Sequence, residues 1–112
     1  MDINILEFAE NKGKEIAKNI SEKYDQADFD LSQNKIEKEI YNISFNYASI
    51  FFFENSKMAL SKKMRDDLIF KVRSFIAEKI NLDKEGNNKL LTEVIKFYVI
   101  QYLLSDYNIF IA

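Results

Sequence analysis

The sequence predicts an all-α fold: a compact antiparallel four-helix bundle that ends in an irregular C-terminal tail. Three observations predict it. The chain has two glycines and no proline, too few turn-formers for an all-β fold with many tight turns. Lys, Glu, Leu and Ile are abundant and favour helix, although the many Phe, Tyr and Ile moderate that propensity. Apolar residues recur at three- and four-residue spacing in four stretches separated by short connections. At 112 residues the chain can build one core but not two, so 1–112 reads as a single helical domain. Its helices are expected at about 4–24, 33–54, 57–80 and 89–106.

The first helix starts from Asn4, which with Glu7 matches a capping box, while Ile3 and Phe8 hold the positions of a hydrophobic staple. Its apolar stripe is Ile5, Leu6, Ala9, Gly13, Ile16, Ala17, Ile20 and Tyr24, and the opposite face is Lys and Glu. After "DQADFDLS" (25–32), Ser32 is the expected cap of the second helix, with Leu31 and Ile36 as its staple. That helix carries two stripes, nearly opposite one another. One is Ile36, Ile40, Ile43, Tyr47, Ile50 and Phe51; the other is Tyr41, Phe45, Ala48 and Phe52.

The third helix begins between Ser56 and Ser61 and continues to about Ile80, with Met64, Leu68, Val72, Phe75 and Ile76 inward. "NLDKEGNN" (81–88) is the clearest loop, with Gly86 available for positive φ and Asn87 or Asn88 as the next cap. The fourth helix, "KLLTEVIKFYVIQYLLSD", is apolar all round from Phe97 to Leu104 apart from Gln101. A strand over "FYVIQYL" is the rival reading, but no second strand candidate is present to pair with it. The uncharged run between Lys96 and Asp106 falls far below the roughly 20 residues a membrane span needs. This is a helix packed on several sides.

Several chemistries are excluded by absent residues. Without cysteine there is no disulfide framework, thiol nucleophile or thiolate metal site. Without histidine there is no Ser-His-Asp arrangement and no usual transition-metal ligand. "SQNK" (32–35) has the Ser-x-x-Lys spacing of penicillin-binding enzymes, but their further motifs are missing and a helix cap explains Ser32. "NLDKEGNNKLLTE" (81–93) echoes a calcium loop at Asn81, Asp83, Glu85 and Gly86, then has Thr92 where the bidentate Glu belongs. Asp25, Asp28 and Asp30 read as a solvated acidic turn. No catalytic residue, metal site or cofactor is expected, and no enzyme. The start "MDINILEFAENKGKE" shows no secretory signal, so a cytoplasmic protein is expected. The Lys-, Ile- and Asn-rich composition suits an AT-rich bacterial or phage genome.

Net charge is −2, divided unevenly. Residues 1–55 carry 6 Lys and 11 Asp or Glu (6 − 11 = −5), and residues 56–112 carry 10 Lys or Arg and 7 Asp or Glu (10 − 7 = +3). Possible nucleic-acid contacts are Lys62, Lys63, Arg65 and Arg73 in the basic segment 57–73, but Asp66 and Asp67 sit among them and repel phosphate. Nucleic acid is therefore only the alternative partner.

The leading expectation is a small binding protein acting by protein–protein interaction: an inhibitor, an immunity or antitoxin-like partner, or a regulator. The partner is another protein or a second copy of the chain in a homodimer, with no membrane and no small-molecule substrate. The interface expected from the sequence is Tyr41, Phe45, Phe52, Phe53, Tyr98 and Tyr102. It rests on Phe51, Phe52 and Phe53, which point about 100° apart on a helix, so one core-facing stripe cannot hold all three. Folding the tail 107–112 over the second stripe, pairing with a copy, or binding another protein would each cover the surplus.

Overall fold

A computed structural model describes residues 4–25, 27, 33–74 and 86–111. Four helices carry the fold: α1 (Ile5–Lys23), α2 (Gln33–Glu54), α3 (Lys62–Val72) and α4 (Asn87–Tyr107). No strand occurs among the described residues, and "FYVIQYL" is helical. The predicted all-α bundle is the observed one. Ser32, Leu31 and Ile3, expected at caps and staples, lie outside the described residues, as do Asp28, Asp30, Phe75, Ile76 and the loop 81–85.

Contacts between neighbours fix the chain directions. Lys23 meets Glu39, Glu15 meets Tyr47, and Phe8 meets Phe51, so α1 and α2 run antiparallel. Tyr98 lies against Gly13 and Tyr102 meets Glu10, so the middle of α4 crosses α1 there, while Asn88 at the start of α4 donates to Ser49 near the end of α2 at 3.4 Å. The bundle is not square. α4 packs against α1, α2 and α3, whereas α1 and α2 touch each other less than either touches α4. Its buried residues are Leu90, Leu91, Thr92, Val94, Ile95, Val99, Ile100 and Leu103, which at 100° per residue cover most of the helix circumference. That all-round apolar pattern is what a central helix requires.

α1 begins as its sequence indicates: the Glu7 amide donates to Asn4 Oδ1 at 3.0 Å. Its buried face is Ile5, Ala9, Gly13, Ile16, Ala17 and Ile20. The three small residues, spaced four apart, form a flat seam that lets α4 come close. At its centre a Cβ on Gly13 would overlap the Tyr98 Cβ and stand 3.1 Å from backbone atoms of Tyr98 and Val99.

α2 resolves its two stripes in an unexpected way. The buried residues are Ile36, Ile40, Ser44, Ala48 and Phe51, a face lying between the stripes. Its centre carries small side chains, so α2 also approaches α4 closely. Ile43 and Tyr47, from the first stripe, are half-buried on the side toward α1. Ile50, assigned by spacing to the same stripe, is instead 51% exposed. The three consecutive phenylalanines separate: Phe51 is buried, Phe52 packs edge-on against it at 5.2 Å, and Phe53 is 84% exposed.

α3 starts at Lys62, later than the expected 57, because Ser61 provides the cap: the Met64 amide donates to its Oγ at 3.2 Å. Leu68 and Val72 are buried against the core, and the expected extension to Ile80 falls outside the described residues. At α4 the expectation for Gly86 is corrected. It has φ −69° and is itself the N-cap, so no positive φ is used there. The left-handed residue is Asn108, at φ 54°, where the amide of Asn108 donates to Leu104 O and that of Ile109 to Leu103 O. The turn sends the tail back, with Ile109 and Ile111 in the core cluster and Phe110 outward.

Among the described residues one core group lacks a match. The Ser44 hydroxyl is fully buried with no hydrogen-bond partner, whereas the buried Thr92 hydroxyl donates to Asn88 O at 2.5 Å. Ser44→Ala is expected to stabilise the protein by about 0.5–2 kcal/mol, because it removes an unpaired buried hydroxyl and improves helix propensity. Gly13→Ala has the opposite sign. Helix propensity alone favours it by about 1 kcal/mol, but overpacking of the α1–α4 seam is expected to give a net loss of about 1–3 kcal/mol. Urea denaturation of both variants checks these signs; a stabilised Gly13→Ala means the two helices are not in close contact.

Candidate functional site

The six residues expected to form an interface fall into two groups, and no ring contact joins them. Tyr41 and Phe45 stack one turn apart on α2, with centroids 6.4 Å apart; Tyr41 is half-buried and Phe45 is 42% exposed. Phe52 is half-buried on Phe51, and Phe53 stands in solvent. The other group is Tyr98 and Tyr102 on α4, also stacked at 6.4 Å and packed against the core.

Tyr98 and Tyr102 already have work to do inside the molecule. Tyr102 donates to Glu10 Oε1 at 2.6 Å, and the Lys14 ammonium lies 5.3 Å from its ring centroid. The Glu10 hydrogen bond, aided by burial and the carboxylate charge, pushes the Tyr102 phenol up to about 12. Burial, then the Glu10 charge, raises that of Tyr98. These two rings seal the flank of the α1–α4 seam.

Two similar polar clasps join α1 to α2. Lys12 bonds Glu15 at 3.2 Å and lies 4.8 Å from the Tyr47 ring and 6.0 Å from the Phe8 ring, while the Tyr47 hydroxyl donates to Glu15. At the other end, Lys23 and the Tyr24 hydroxyl both donate to Glu39. Burial works against the Glu39 carboxylate, but these two hydrogen bonds outweigh it and hold its pKa below the usual value. On α4, burial pushes the half-buried Glu93 carboxyl up, against the charges of Lys96 and Lys89.

Uncovered apolar side chains lie near the end of α2 and, separately, near the end of α4. The Phe8–Phe51 contact sets the end of α2 beside the start of α1, and the Asn88–Ser49 hydrogen bond sets the start of α4 beside the end of α2. Exposed are Ile50 and Phe53 on α2, Leu104 and Tyr107 on α4, and Phe110 in the tail. Of these the sequence reading identified only Phe53. Ile50 lies three residues before Phe53, on the same side of α2, a spacing that could have signalled the pair.

The basic segment is not assembled into one cationic surface. Lys62, Lys63 and Arg73 are exposed, but Arg65 is half-buried, and exposed Asp66 and Asp67 follow Lys62 and Lys63 by one helical turn. A cleft of about 290 Å³ between Leu60, Lys62, Arg65, Asp66 and Ile69 likewise mixes both signs of charge. Among the described residues no acidic cluster has the make-up of a metal site. No described helix is long and apolar enough to cross a membrane.

The Tyr102 clasp has a pH signature. Because folding raises this phenol above its ordinary value of 10, its contribution is complete below the unfolded pKa and is lost as pH rises through the folded one. The stability difference between wild type and Tyr102→Phe is therefore expected to be constant below about pH 9, then to shrink as pH approaches about 12. Urea denaturation across that range reads it; a difference that stays flat would mean Tyr102 does not donate to Glu10 in solution.

The chain matches no protein-family model, no curated protein and no solved structure.

Proposed function

We propose that this is a non-enzymatic helical binding protein that acts by protein–protein contact, as an inhibitor, an immunity or antitoxin-like partner, or a regulator. One observation carries the reading: at the end of α2, Phe53 is 84% exposed and Ile50, one turn before it on the same side, is 51% exposed. Each ring left in water forgoes roughly 1.5–3 kcal/mol of burial, and a fold that needed only stability would place polar residues there. The working surface is Ile50 and Phe53 at the end of α2. Phe45 lies on another side of α2, and Tyr98 and Tyr102 act within the fold. Self-association is the simplest use of this end, since a second copy is always present.

Nucleic-acid binding through 57–73 gains no comparable support, because Asp66 and Asp67 accompany the lysines.

The test compares wild type with Phe53→Asp, using Phe70→Asp as the control for an exposed ring elsewhere (Phe70 is 70% exposed). Both substitutions are expected to change stability by no more than about 0.5–1 kcal/mol, so lost association is not unfolding. In light scattering after size exclusion, a wild-type dimer that Phe53→Asp makes monomeric and Phe70→Asp leaves intact supports self-association. A wild-type monomer whose cross-linked protein partner is lost only in Phe53→Asp supports a different partner. Three proteins that behave alike in both assays overturn the proposal.

A further inference from the structure

We draw no further inference here: the strongest candidate, the outer face of α3 where Phe70 stands among Lys63, Lys71 and Arg73, also carries Asp66 and Asp67 at helical spacing, and nothing in the structure shows what covers it.

Discussion

The contact of α1 with α4 at Gly13 governs the arrangement of the other helices. A helix pair can approach this closely only where one partner has no side chain, and Gly13 supplies that position opposite Tyr98 and Val99. Ala9 and Ala17, one turn to either side, keep the seam shallow along its length. α2 meets the same central helix with Ser44 and Ala48 in the middle of its face. α4 supplies the bulk from its own side, with Leu91, Ile95, Val99 and Leu103 fully buried. Large side chains on the central helix face small ones on the helices packed against it, which lets the helices come close. α3 adds buried Leu68 and Val72 to the core, with Met64 and Ile69 packed against it.

Around this centre three polar contacts sit on the rims of the α1 seams, while Asn88 meets Ser49 between α4 and α2. Glu10 with Tyr102, Glu15 with Lys12 and Tyr47, and Glu39 with Lys23 and Tyr24 all join α1 to a neighbour. All are partly solvated, so each contributes little to stability on its own. Their effect is on register. Sliding α1 by one turn would break all three together, while its apolar face, repeating every three or four residues, would tolerate the slip better. Apolar packing supplies the energy, and the clasps select one alignment.

α1 was legible almost completely because a single stripe with a charged opposite face leaves one way to bury it, and the Asn4 cap marks its start. α4 was legible as a central helix for the complementary reason, since apolar positions all round leave it no wet side. α2 was not, because hydrophobicity locates stripes but says nothing of how near the next helix comes. Side-chain size carries that information: Ser44 and Ala48 mark the closest approach, although Ile50 and Phe45 are far greasier. The roles of Tyr98 and Tyr102 were illegible for another reason. An amphipathic ring suits an interface and a seam flank equally, and the Glu10 that accepts from Tyr102 is 92 residues away from it. The exposed tail ring Phe110 depended on the left-handed turn at Asn108, which the sequence does not announce.

The same close approach explains part of the surplus apolar surface on α2. With small residues facing α4, the bulky ones are displaced to the shoulders: Tyr47 and Ile43 on one side, Tyr41 and Phe52 on the other. Ile50 and Phe45 lie about 100° and 120° from the centre of the buried face at 100° per residue, one step beyond what the neighbours cover. Their exposure can be read as a consequence of packing. Phe53 cannot, since by the same measure it lies about 160° away, on the side turned from the core. No shift of α2 that kept Ser44 and Ala48 against α4 would bring that ring inside. Asn55, whose side chain donates to Phe51 O at 2.8 Å, ends the helix just beyond it, so no local rearrangement of the chain is needed there. The described residues therefore give no reason for a phenylalanine at 53, and under the proposed function recognition by another surface would supply one.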